Sequence, residues 1–311
     1  MYKLIYFIGF TTLLLTSNSF SFELFKGVIL DKESSQILIA SPENGIKSID
    51  ASTGNVNWKS DSADIPIAVI DSKILTQKSS KNLKFLAIST LSMTGQTLQI
   101  KELQLPQDVS SQVQDTIHSK FNLTAYPTFD NISNTYSYDF QWSFFEQKIQ
   151  GMMAEEITPP TQIFGSVVID DINSLELASV KPMSSRMVKQ NIHVESDNLI
   201  PAVVGRKFKS ISGDYVLVSN QDSDNAKWDN YIWTIYSVSG QVLGSIMNHS
   251  SFRPFEVIGE QLVFVDLPSV RLINNQYETV PLSVKSYSLT NSSLNWTKEI
   301  RDFSYKGPYP H

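Results

Sequence analysis

Beyond residue 21 the chain consists of short runs in which apolar and polar side chains alternate at period two, separated by Gly, Asn, Asp and Ser. Helical periodicity is scarce. The pattern predicts an all-β chain whose strands fall into successive units. The first unit, from about Phe25 to Ser60, reads K-G-V-I-L-D, Q-I-L-I-A-S, I-K-S-I-D and N-V-N-W-K, four strands that make one antiparallel sheet. The second follows at once as I-A-V-I-D, K-I-L-T-Q, L-K-F-L-A-I-S-T-L and Q-T-L-Q-I-K-E-L. The third opens with N-L-T-A-Y-P-T-F-D and T-Y-S-Y-D-F-Q-W-S-F-F. After an insertion from Gln147 to Ile163 it ends in G-S-V-V-I-D-D-I-N-S-L-E-L-A-S-V. A polar connector, Lys181 to Asn198, leads to the fourth unit, whose hairpin loop Gln221 to Asn230 is acidic. The fifth unit gives F-E-V-I, Q-L-V-F-V-D, V-K-S-Y-S-L and L-N-W-T-K-E-I. Ser110 to Lys120 is expected to hold a short helix.

Ahead of the last strand of each unit stands a tight turn. In the first unit this is the stretch Ser48 to Lys59, with Asp50, Thr53-Gly54 and Trp58. Thr-Gly between apolar runs suits a hairpin turn, because glycine tolerates the positive φ that such a turn demands. Corresponding turns fall at Gly95, Ser174, Gly240 and Ser292. In the second unit Leu91 takes the place of Asp50 and Gln99 that of the tryptophan. In the third, Asp170, Asn173-Ser174 and Ala178 take the Asp, Thr-Gly and Trp positions, and in the fifth Trp296 returns after Asn291-Ser292. Four-stranded units in series bury their faces best by radial packing. The expected fold is therefore a β-propeller of four-stranded antiparallel blades, about five of them visible. Asp130-x-x-Ser133-Asn134 reads as one more worn turn, and the upper expectation is roughly seven blades.

The segment I-D-A-S-T-G-N-V-N-W resembles the blade-ending tryptophan-docking motif of quinoprotein-type (PQQ-like) β-propellers. Asp50, Thr53, Gly54 and Trp58 match it fully, and Trp296 matches it in part. The resemblance implies that these residues are structural, with the indole packed against the neighbouring blade. Quinoprotein dehydrogenases of that family bind pyrroloquinoline quinone and calcium, and often set two adjacent cysteines over the cofactor. This chain has no cysteine, and no candidate for the catalytic acid stands out. A non-catalytic member without a cofactor is the expectation. In repeat style the chain also resembles the propeller component of the outer-membrane protein assembly machinery.

The N-terminus carries Lys3, an apolar run from Leu4 to Leu15 and then small polar residues, the three-part layout of a secretory signal. Cleavage is expected near Ser21, which leaves residues 22–311 as a single propeller domain. Without cysteine there is no lipid attachment site, no disulfide and no thiolate chemistry. A periplasmic or secreted location follows, with the membrane engaged by the signal segment only during export. The 311 residues are 41% hydrophobic and 11% aromatic, enough to fill a core. The formal charge of -6 offers no basic field for nucleic acid.

Candidate chemistry is thin. His118, His193, His249 and His311 are scattered without ligand spacing, and no G-x-S-x-G elbow, P-loop or H-E-x-x-H occurs. Asp222-Ser-Asp224-Asn225 lacks the third acidic ligand and closing glutamate of a calcium loop. No catalytic, cofactor-binding or metal-binding residue is assigned. Trp228, set among charged residues in the fourth unit's loop, is the candidate contact residue for a partner. The expected function is an exported, non-enzymatic propeller scaffold for a protein or cell-envelope partner. The alternative is a small-ligand-binding or enzymatic propeller using the funnel at its axis.

Overall fold

The runs Val28-Ile29-Leu30 and Ile37-Leu38-Ile39 are apolar at every position, and a strand of that kind has to be covered on both faces. A sheet of such strands calls for a neighbour on each side. The computed structural model describes residues 22–25, 27–41, 45–78, 85–105, 107, 118–145, 147–150, 153–156, 161–183, 206–210, 213–221, 231–248, 255–266, 269–273 and 276–300. Every described element is a β-strand. Sheet I comprises β1 (Phe22–Phe25), β2 (Val28–Asp31), β3 (Gln36–Ser41), β4 (Gly45–Asp50) and β5 (Val56–Ser60), and sheet II comprises β6 (Ile65–Ile70), β7 (Lys73–Lys78), β8 (Phe85–Ser92) and β9 (Thr97–Gln104). Sheet III is β10 (His118–Asp130), β11 (Thr135–Phe145), β14 (Thr161–Ile169) and β15 (Ser179–Pro182), with a hairpin β12 (Gln147–Gln150) and β13 (Met153–Glu156) between its second and third strands. Sheet IV is β16 (Arg206–Lys209), β17 (Asp214–Gln221), β18 (Tyr231–Ser237) and β19 (Val242–Asn248). Sheet V is β20 (Phe255–Ile258), β21 (Gln261–Asp266), β24 (Ser283–Ser288) and β25 (Leu294–Glu299), with the hairpin β22 (Ser269–Ile273) and β23 (Gln276–Val280) in the corresponding connection. All pairings are antiparallel meanders.

Alternate residues of one strand feed different interfaces. In sheet I, Val28, Leu30, Ile37, Ile39 and Ile49 pack with Val263, Val265 and Val284 of sheet V, whereas Ile29, Leu38 and Ile46 pack with Val69, Ile74 and Leu91 of sheet II. Tyr136, Tyr138, Phe140 and Trp142 of sheet III join Leu75, Leu86 and Ile88 of sheet II. Trp233 and Ile235 of sheet IV join Phe255, Leu262 and Phe264 of sheet V, with the Trp233 and Phe264 ring centroids 5.2 Å apart. The sheets therefore stack face to face in the order IV, V, I, II, III, and the last sheet in sequence closes on the first. This is a β-propeller of four-stranded antiparallel blades. Among the described residues no buried apolar cluster joins sheet III to sheet IV.

Several local expectations change. Blade I carries a fifth strand, β1, whose Leu24 is 2% exposed and completes the apolar layer shared with sheet V. His118–Lys120 begin β10 instead of ending a helix, and 110–117 lie outside the described residues. The insertion after Phe145 contains the hairpin β12–β13. Asp130 to Asn134 form the turn joining the first two strands of blade III, so they do not mark another blade. Period-two alternation holds for the outermost strands, such as β9 and β25, but the inner strands are apolar on both faces.

Candidate interaction surface

The connection between the third and fourth strands of each blade is set by local side chains. In blade I, Asp50 Oδ1 accepts hydrogen bonds from Ser52 N (2.9 Å), Thr53 N (2.8 Å) and Thr53 Oγ1 (3.0 Å), while Gly54 N donates to Asp50 O at 2.8 Å. So tight a wrap brings residue 54 to φ 73°, which glycine adopts without a steric penalty. The turn is also a seat. Trp296 Nε1 donates to Ala51 O at 3.1 Å, and a Cβ at Gly54 would stand 2.9 Å from Trp296 Cδ2. Asp50, Thr53, Gly54 and Trp296 therefore meet at one place. Trp58 leaves them for blade II, where its Nε1 donates to Met93 O at 2.8 Å and a Cβ at Gly95 would stand 2.5 Å from Trp58 Cε3.

Beneath each of these indoles lies a pair that the sequence reading missed. Ser48, directly opposite Trp58, donates from Oγ to Gln36 Oε1 at 2.9 Å, and Ser286, opposite Trp296, donates to Gln261 Oε1 at 2.7 Å. Both serines are fully buried. Gln261 Nε2 also donates to Ser52 O of blade I at 3.2 Å, so the pair helps fix the neighbour's turn. The signal was present as a Gln…Ser…Trp set at matching strand positions, though the β22–β23 hairpin changes its spacing in blade V.

The other blades depart from this scheme. In blade II, Lys73, Thr90 and Gln99 stand where blade I has Gln36, Ser48 and Trp58. Lysine cannot accept a hydrogen bond, and Thr90 Oγ1 is buried without a partner among the described residues. Lys73 Nζ donates to Asn173 Oδ1, Gln99 Nε2 to Asn173 O, and Lys101 Nζ to Glu176 O at 3.3 Å, so cations and an amide hold the turn of blade III. Tyr138 is fully enclosed in the same interface, and burial pushes its phenol well above the ordinary range. In blade IV the docking position is Gly244, set against Ser292 of blade V. In blade III it is Ser179, opposite Val168, and not Ala178. The turn there is capped by Asp171 rather than Asp170: Leu175 N donates to Asp171 O at 2.9 Å and Asn173 N to Asp171 Oδ1 at 2.8 Å. In blade II the equivalent of Asp50 is Ser92, since its three-residue loop is one residue shorter.

Two surface carboxylates, Asp130 exposed and Asp171 partly so, are held below their ordinary value of 3.8. Backbone donation from Asn173, its side chain and Ser174, then the charge of Lys73, stabilise ionised Asp171; backbone donation from Ile132 and the Ser133 hydroxyl do so for Asp130. Among the described residues no group of three or more His, Asp or Glu is arranged to hold a metal ion. Trp228 and Asp222 to Asn225 lie outside the described residues.

The two ends of the propeller differ in build. Turns joining first to second and third to fourth strands lie at one end and are short, as at 71–72, 93–96 and 238–241. Connections from second to third strands, and between blades, lie at the other. That end carries both inserted hairpins, with Lys148 registered opposite Glu155 and Arg271 opposite Glu278.

No protein-family model matches the chain, and no curated protein does either. Among solved structures, the chain is similar to a europium-containing methanol dehydrogenase, at 12% identity and a TM-score of 0.24, with 86% of this chain and 67% of that one covered. It is also similar to the quinohemoprotein alcohol dehydrogenase ADHIIG from Pseudomonas putida HK5, at 9% identity and a TM-score of 0.25, with 85% of this chain and 57% of that one covered. The chain thus spans about two thirds of the first protein's length and little more than half of the second's. The fold assignment rests on the sheet packing, and the chemistry of these enzymes is theirs.

Proposed function

We propose that the chain is an exported, non-enzymatic propeller scaffold that engages a protein or cell-envelope partner through the end bearing its long connections. The observation that carries this reading is the contrast between the ends. Specificity on a rigid scaffold resides in the loops it holds, and the hairpins β12–β13 and β22–β23 occupy the same connection in two blades at that end. Asp50, Thr53, Gly54, Trp58 and Trp296 act as structural pins between blades, and Trp228 is the side chain proposed to contact the partner. Export follows from the leader-like N-terminus, with the mature chain starting at about Phe22, the first residue of β1.

The test replaces Gln147–Glu156 by a short turn in the full chain. Cross-linking in intact cells should trap a defined envelope protein with the parent chain and fail to trap it with the shortened one, at equal thermal stability. Equal trapping by both chains would overturn the assignment of the surface. Mass spectrometry of the mature N-terminus and cell fractionation test export separately: an intact Met1 in the cytosol would sink it.

A further inference from the structure

β1 (Phe22–Phe25), the first described strand, is short and depends on the last blade for its cover. It lies along the edge of β2, with Phe22 registered to Leu30, Glu23 to Ile29 and Phe25 to Val28. The turn between the two strands is fastened to sheet I, where Ala40 N donates to Gly27 O at 2.8 Å and Gly27 holds φ 73°. The first residues of a chain fray unless tertiary contacts tie them down. Here the tie is Leu24, 2% exposed in the apolar layer that blade I shares with Val263, Val265 and Val284 of blade V.

That layer is finished last. A chain is made from its N-terminus, so β1 emerges first and waits for blade V. Ile300, the last described residue, belongs to the same layer, and its amide donates to Leu282 O at 2.8 Å. Until blade V forms, Leu24 has no cover from it. The bond expected to be cut on export, Ser21–Phe22, adjoins β1 directly. A peptidase cleft takes the residues on both sides of its bond as a free extended segment, and folded structure is cut only from states that open locally. Phe22 and Glu23, the first two residues beyond the bond, are paired with β2 once blade V has closed on blade I. They are then not free for a cleft.

We propose that the Ser21–Phe22 bond is a timed processing site, open to hydrolysis while blade V is unformed and withdrawn when β1 docks against blade V. This order rests on the export proposed above: leader removal comes first, and contact between blades V and I second. Hydrolysis adds one water across the amide, leaving a carboxylate on Ser21 and an ammonium on Phe22. A chain that folds before it is cut keeps its leader.

The experiment takes the full chain, residues 1–311, purified with its leader intact. It is offered to a purified type I signal peptidase in two ways, during dilution from denaturant and after refolding is complete, and cleavage is read from the mass of the new N-terminus. The diluted chain should be cut after Ser21. The refolded chain should be cut at least about a hundredfold more slowly, because the open fraction of a docked strand is small. Two variants of the refolded chain then identify the cause. Leu24→Asp sets a carboxylate in the apolar layer and should release β1 and restore cleavage, while unchanged Trp58 and Trp233 indole N–H signals show that the blades stay folded. About ten Gly and Ser residues inserted after Ser21 move the bond away from β1 and should restore cleavage with Leu24 still seated. Equal rates for the diluted and refolded chains, or resistance of either variant while folded, would overturn the timed site and leave export standing. A chain cut in neither state would overturn the leader assignment and the timed site with it.

Discussion

Blades I and II are joined by an indole, blades II and III by an amide and two lysines, and the difference shows how one architecture tolerates two kinds of lock. At the first joint Trp58 fills a space kept open by Gly95, with its N–H satisfied by Met93 O. At the second, Gln99 reaches the same kind of backbone acceptor, but Thr90 Oγ1 beneath it has no partner among the described residues. What compensates is the hydrophobic layer. The joint between blades II and III buries Tyr138, Phe140 and Trp142 together with Leu175, a leucine held at positive φ. Ring and core share the work at one joint, and core carries most of it at the other.

The largest effect expected from this contrast is loss of a ring. Trp58→Ala and Trp296→Ala should each lower stability by about 3 kcal/mol, read from denaturant unfolding midpoints; losses below about 1 kcal/mol would show that the indoles are not pins. Trp296→Ala also opens the contact between last and first blades, so probes in blades I and V should cease to unfold together.

A narrower comparison uses two glycines with the same φ. Gly95→Ala and Gly240→Ala introduce the same backbone strain, on the order of 1–2 kcal/mol, but only at Gly95 does the new methyl strike an indole. The first should therefore be the more destabilising by about 2 kcal/mol. Equal losses would mean that Trp58 swings aside at no cost. Smaller again, Gln99→Ala should cost about 1 kcal/mol, in keeping with one hydrogen bond at a joint carried by its core. A loss matching that of Trp58→Ala would erase the distinction between the joints.

The smallest expected effect is on pH. Asp171 is depressed in the folded chain by the Asn173 backbone and side chain and by Lys73, so its contribution is full above 3.8 and disappears as pH falls through the folded value. Acid titration of the melting temperature should show a shallow decline below that point, made shallower by Asp171→Asn. A decline on the alkaline side, or none at all, would remove the capping carboxylate from the account of blade III.

How far the sequence could be read depended on whether a signal was local. The Asx-capped turn at Asp50, the αL glycines and the strand runs depend on neighbours a few residues away, and they were legible. The first blade's extra strand was not, because F-E-L-F has no pattern of its own and gains its place from Val28–Asp31 and the cover of sheet V. The shift from Asp170 to Asp171 and from Ala178 to Ser179 was hidden because an extra residue in the turn alters the count without altering composition. Trp58 and Trp296 each serve the turn of a neighbouring blade, and only the packing of the sheets fixes which carbonyl each indole meets.

By itself the sequence determined that this chain would be all-β, in successive four-stranded meanders with tight third turns, because hydrogen-bonded turns and strand alternation are fixed by residues close together in the chain. The tertiary structure alone decided which sheet faces which, that the fifth closes on the first, and which turns hold a ring. Those outcomes depend on the fit of side chains separated by as many as 245 residues, as in the hydrogen bond from Trp296 to Ala51, and no local pattern encodes that fit.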